Sequence, residues 1–203
     1  MRGRTRTWMP TAGLLAVLLG TAAPSRALAA EGDTPGTLRI GLNLVPEPFG
    51  KFTVSVQTPI GSVSGSRDTA FAFGVAPYLD YIVHRNVFLG FSPVYSFHIK
   101  ADGSNGDSGE ELDLLIRAGV QFPVIPRLEV FGYLAPGYSI IMVPNADNPS
   151  GFVLGFHGGA TYNLNSSVFA LFQLGYQFGY QSVDSGDAKT EFFQFGLGLG
   201  ARM

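Results

Sequence analysis

Phe172-Gln173-Leu174-Gly175-Tyr176-Gln177-Phe178-Gly179-Tyr180 is the stretch that decides the fold. Every bulky side chain falls on an even position and every Gly or Gln on an odd one. A period of two belongs to an extended strand whose two faces meet different surroundings; a helix would repeat its apolar positions every three to four residues.

Moving outward, the same split recurs along most of the chain. Towards the C-terminus, Phe193, Phe195, Leu197, Leu199 and Met203 oppose Gln194, Gly196, Gly198, Gly200 and Arg202. Upstream, Phe152, Leu154, Phe156 and Tyr162 oppose Gly155, His157, Gly159 and Thr161, and Leu128, Val130, Leu134, Tyr138 and Ile140 oppose Glu129, Tyr133, Gly137 and Ser139. Leu112, Leu114, Ile116, Val120 and Phe122 oppose Glu111, Asp113, Arg117, Gly119 and Gln121. Two further segments, 87–99 and 69–83, repeat the pattern. The first segment, from Leu38 to Val56, keeps its even phase across Pro46 and Pro48, which reads as one bent strand or as two. The count is eight strands, or nine if that segment splits.

Tight connections at His84-Arg85-Asn86, Pro123 to Pro126 and Asn163 to Ser167 alternate with four polar or Gly-rich ones: Thr58 to Asp68, Lys100 to Glu110, Pro144 to Ser150 and Val183 to Lys189. Strict alternation of short and long is expected of an all-β, eight-stranded, antiparallel up-and-down barrel with a turn end and a loop end. No second domain or linker is visible after residue 30.

The choice between a water-soluble barrel and a transmembrane one turns on which face is outside. Only 14% of the chain is charged, against 27 Gly and 17 Phe. With the bulky face inside, the exterior would be a sheet of Gly, Ala, Ser and Gln with scarcely a charge per strand, which is poor for solubility. With it outside, lipid meets the Phe-rich face, and small residues fill a lumen that eight strands leave only just wide enough for side chains. The transmembrane arrangement satisfies both demands. Outward aromatics are then expected at the two interfaces: Phe71, Phe97, Phe152, Tyr180 and Phe193 at the loop end, and Tyr81, Phe122 and Tyr162 at the turn end.

The first thirty residues place Arg2, Arg4 and Arg6 before an apolar run from Ala12 to Ala23 and end in Ala27-Leu28-Ala29-Ala30, the plan of a secretory signal peptide cleaved after Ala29 or Ala30. Residues 31–203 form the single remaining domain. They carry nine basic and fifteen acidic side chains, a net −6 that argues against a nucleic-acid partner. With no Cys there is neither a disulfide nor a lipidated cysteine.

A leader, eight alternating strands, short turns and longer loops resemble the small bacterial outer-membrane barrels grouped with the membrane domain of OmpA, OmpX and OmpW. The resemblance covers nearly all of the chain after Ala30. It implies an outer-membrane location with turns towards the periplasm, contact with outer-membrane lipid and lipopolysaccharide, and delivery by periplasmic chaperones to the barrel-assembly machinery. It implies no cofactor. Such barrels typically close on Phe or Trp; Phe193, Phe195, Leu197 and Leu199 keep the alternation, but this chain closes on Met203.

Charges on the inner face must pair or stay hydrated. Arg39, Asp80, Glu129 and Arg202 are expected near the turn end as a neutral network across the lumen, and His98, Lys100, Glu111 and Asp113 form a second polar group at the loop end with Arg117 below it. A structural plug is favoured over a gate, because Phe88, Phe131, Tyr133, Phe169 and Phe192 also point inward. No catalytic set is specified: Ser96 and His98 share the inner face without an assigned orienting acid. His84, His98 and His157 have no metal spacing, and Asp102 to Asp107 lacks the ligand spacing of a calcium loop. The expected function is a non-enzymatic outer-membrane barrel with a structural or surface-contact role. A narrow channel, or an OmpW-like conduit for small apolar molecules, is the alternative, and a lipid-modifying enzyme the third.

Overall fold

The computed structural model describes residues 33–58, 61–69, 71–99, 109–142, 148–183 and 186–203; at 52, 54, 56–58, 61–63, 66–69, 71, 98, 99 and 183 it describes the backbone alone. The expected signal peptide therefore lies outside the described residues, as do Lys100, the Asp102–Asp107 loop and the side chains of Phe71 and His98.

The described strands are β1 (Leu38–Glu47), β2 (Phe49–Thr58), β3 (Gly61–Thr69), β4 (Phe71–His84), β5 (Val87–Ile99), β6 (Glu110–Ile125), β7 (Leu128–Met142), β8 (Ser150–Asn163), β9 (Val168–Val183) and β10 (Gly186–Arg202). All pairings are antiparallel. From β4 to β10 each strand pairs with the next, and β1 closes the cylinder by pairing with both β4 and β10. Reciprocal backbone bonds between Leu38 and Met203, at 2.9 and 2.8 Å, fasten β1 to the residue that follows β10 at the turn side.

Ten segments make eight staves. β1 and β2 run along β10 in succession, Leu44 opposite Leu197 and Phe49 opposite Phe193, with the break falling at Pro48, which has no N–H to give the ladder. β3 and β4 run back along them, Thr69 opposite Gly50 and Ala72 opposite Glu47. The fold is thus a closed, eight-stranded, all-antiparallel barrel, and Leu38–Thr58 is one stave bent at a proline.

Two of the four expected loops are corrected. Residues 61–69 continue the ladder, Gly50 opposite Thr69 through Thr58 opposite Gly61, so the first loop-end connection is a hairpin that rises alongside β10, Val56 opposite Gly186. Likewise Gly186 is already paired with Val183, leaving two residues between β9 and β10. Gly, Ser and Thr dominate 61–69, and without bulky residues on one face the stretch carries no alternation to read.

The side chains obey the two-residue period throughout. Leu79, Leu89, Phe91, Ile116, Leu134, Phe156, Phe172 and Leu197 stand on the outer wall, while Asn43, Tyr78, Arg117, Tyr133, Phe169 and Gln177 are buried inside. An exposed apolar belt this continuous, wrapped round a polar core, inverts the arrangement of a water-soluble domain and matches the lipid-facing wall of a membrane barrel. At its loop-side rim Phe97, Phe152 and Tyr180 are exposed and Phe193 is half-buried; Tyr81, Phe122 and Tyr162 are exposed at the turn side. Charged side chains appear just above the loop-side rim, where Lys51 faces Glu191 across the β2–β10 pair and Tyr95 donates to Glu110.

Candidate functional site

With the outer wall apolar, the chemistry of the described residues is concentrated in the lumen, which falls into three layers.

At the turn end, Arg39 of β1 and Arg202 of β10 lie side by side in the closing seam. Arg39 donates through Nη2 to Glu129 Oε2 at 2.5 Å and through Nε to Asp33. Arg202 donates through Nη2 to Glu129 Oε1 at 3.0 Å and places Nε 2.8 Å from Asp33 Oδ1, an ion pair off the N–H axis. Asn163 Nδ2 adds a bond to Glu129 Oε1 at 3.2 Å, and Gln121 Nε2 reaches Asp33 Oδ2 at 3.4 Å. Both guanidinium groups rest on the ring of Phe169, 5.3 and 5.1 Å from its centroid. Two cations and two carboxylates balance, so no net charge is buried.

Asp80 does not belong to that quartet. It sits opposite Arg39 in the β1–β4 register, yet its carboxylate is 3.3 Å from Arg117 Nη2 in the layer above. The fourth member is Asp33, from the segment that precedes β1. Sequence reasoning missed it because a residue outside any strand has no alternation phase; an acid a few residues before an inward arginine was the available signal. Arg117 in turn is sandwiched between Tyr78 and Tyr133, 4.5 and 4.3 Å from the ring centroids. His157 stacks on Tyr133 at 4.6 Å, and Tyr133 donates to Gln173 Oε1 at 3.0 Å. Glycine is required beside this stack, since a Cβ on Gly155 would lie 2.5 Å from His157 Nε2.

At the loop end, Glu47, Glu111 and Asp113 are buried among hydroxyls and amides. Ser139 Oγ donates to Glu111 at 2.7 Å, Gln177 Nε2 to Asp113 at 2.6 Å, and Gln194 Nε2 to Glu47 at 2.8 Å, with Ser96 Oγ 3.4 Å from Glu47. Glu47 and the amide partners were not anticipated; their inward phase was legible, but which groups meet across the lumen depends on the stagger of the strands. Ser96 is held in this network, and no group of three metal-ligating side chains is found among the described residues.

Between the layers the described side chains leave two small cavities. One cavity of about 10 Å³, near the room a single water needs, lies among Tyr78, Asp80, Arg117, Thr161 and Phe169; another of the same size lies among Asn43, Ser92, Tyr133, His157 and Gln194.

Two ladders of the outer wall lapse beside the second cavity: β6–β7, between Leu115 opposite Gly137 and Ala118 opposite Leu134, and β4–β5. Between Val75 opposite Tyr95 and Leu79 opposite Phe91 the β4–β5 ladder lapses, because the register sets Pro77 against Pro93 and neither has an N–H to donate. Ser92 Oγ takes up the freed Pro77 carbonyl at 2.8 Å.

The closed cylinder, the apolar belt and the polar lumen together define a small eight-stranded β-barrel of the outer-membrane type. Among solved structures, the outer-membrane protein OprG from Pseudomonas aeruginosa superposes with a TM-score of 0.62 at 10% identity, covering 85% of this chain and 98% of that one. Neisserial surface protein A gives 0.54 at 12% identity over 82% and 98%, and the outer-membrane protein AlkL in lipid bilayers 0.50 at 13% identity over 91% and 97%. No family model and no curated protein matches the sequence.

Proposed function

We propose that the protein is a non-enzymatic outer-membrane barrel with a closed lumen, acting through its loop end in envelope integrity or surface contact. The observation that carries this reading is the filling of the interior by described side chains: an ion quartet at one end, an aromatic and arginine layer in the middle, carboxylates and amides at the other, with two water-sized cavities between them. Cavities of that size pass no solute. Export by the leader, residence in the outer membrane and contact with lipid and lipopolysaccharide belong to this proposal, as does handling by periplasmic chaperones and the assembly machinery. Purified protein in planar bilayers is expected to give no discrete conductance steps; steps of uniform size would reject the closed lumen.

A second reading, a conduit releasing small apolar molecules sideways into the membrane, is favoured by one observation. The unladdered stretch at Pro77 and Pro93 lies in the wall beside a cavity that Ala76, Ser92 and Val94 line. Unchanged uptake of small apolar solutes on deletion of the gene would remove it. The lipid-modifying reading has little support, since Ser96 faces the lumen rather than lipid; an unchanged lipid A acyl pattern with and without the protein rejects it.

A further inference from the structure

The turn-end quartet differs from an ordinary salt-bridge network in where its members come from. Arg39, Arg202 and Glu129 belong to β1, β10 and β7, and so to the barrel wall. Asp33 belongs to a short segment outside the wall, tethered through the turn at Gly36, whose positive φ of 95° and N–H bond to the Ile82 carbonyl at 2.8 Å fold the chain back into the mouth. The residue is only 7% exposed, and its carboxylate is met from three strands: Arg39 Nε and, at 3.4 Å, Gln121 Nε2 donate to it, and Arg202 Nε forms an ion pair with it at 2.8 Å. Phe169 lies beneath both guanidinium groups and keeps them from turning away.

We infer that Arg39, Arg202 and Gln121 form a carboxylate-binding site at the turn-end mouth of the barrel, occupied in this structure by the chain's own Asp33. Two guanidinium groups and one amide converging on one carboxylate are the usual means of recognising that group. The remaining cation valence is spent on Glu129, so the site has room for one negative charge. Because the occupant is tethered rather than built into a strand, withdrawal of residues 33–37 would uncover the site to a small free carboxylate on the same side of the membrane. This inference concerns binding, and it stands whether or not the lumen conducts.

The test is chemical rescue in the full-length mature protein, refolded into lipid vesicles and checked for folding by heat-modifiable migration. Asp33→Ala empties the site and is expected to lower the thermal unfolding midpoint. Sodium acetate at neutral pH is then expected to recover most of that loss, while sodium chloride at equal ionic strength recovers little. Acetate should do nothing for the wild-type protein, whose site is filled, nor for Asp33→Ala combined with Arg202→Gln. Equal effects of acetate and chloride on Asp33→Ala would overturn the inference. If Asp33→Ala folds in neither salt, Asp33→Asn decides: an amide keeps the shape and loses the charge, so a lowered midpoint supports the site and an unchanged midpoint overturns it.

Discussion

At the two ends of the lumen the described side chains hold buried carboxylates with different chemistry. At the turn end, buried carboxylates meet arginines: Asp33 and Glu129 are matched by Arg39 and Arg202. At the loop end, Glu47, Glu111 and Asp113 are held by the hydroxyls and amides of Ser139, Gln177 and Gln194. The difference teaches which end is the firm closure. Removing one arginine leaves two buried carboxylates sharing one cation, whereas removing one amide takes away a single hydrogen bond. The turn end also ties the first stave to the last, so its ion pairs hold the seam that closes the cylinder.

That contrast can be broken by four substitutions, all read as unfolding free energies from urea titration in lipid vesicles. Arg39→Ala should have the largest effect, destabilising by about 3–5 kcal/mol, because it leaves Asp33 and Glu129 sharing one cation. A loss below that of Gln177→Ala would reverse the ranking of the two ends. Leu197→Arg puts a charge on the outer wall instead of the lumen and should cost about 2–4 kcal/mol if the residue sits near the middle of the hydrocarbon. A neutral result there would place Leu197 in water. Gln177→Ala removes the bond to Asp113 and should cost about 1–3 kcal/mol, the range for leaving a buried acceptor short of a donor. Smallest of all, Lys189→Ala above the rim, where the ammonium lies 5.9 Å from the Tyr180 ring centroid, should change stability by less than about 0.5 kcal/mol, as exposed positions do.

Each part of the barrel is legible in the sequence to the extent that a local rule governs it. The inner and outer assignment of residues such as Phe172 and Gln173 needs only the alternation of a strand, and the number of staves needs only the turns between them. Of the β2–β3 hairpin only β2 is legible, through Phe52, Val54 and Val56; 61–69 reads as a connection because Gly, Ser and Thr dominate it, and a strand held mainly by backbone bonds leaves no apolar period. The grouping of lumen charges was half legible. Burial of Arg39, Asp80 and Glu129 follows from phase, but the choice of Arg117 as partner for Asp80 follows from strand stagger, which one sequence does not state. Asp33 was invisible to any periodic reading, since its position comes from a turn at Gly36.

A membrane barrel requires the Phe-rich and Leu-rich wall to meet hydrocarbon. The protein has no Cys, so Ile116→Cys gives one clean attachment point for a nitroxide, on an outer-wall residue that is 58% exposed. Collision rates measured by electron paramagnetic resonance in lipid vesicles separate apolar oxygen, which concentrates in the bilayer, from a water-soluble nickel chelate. High oxygen and low nickel accessibility at residue 116 is the expected result. High nickel accessibility there would put that wall in water and contradict the account.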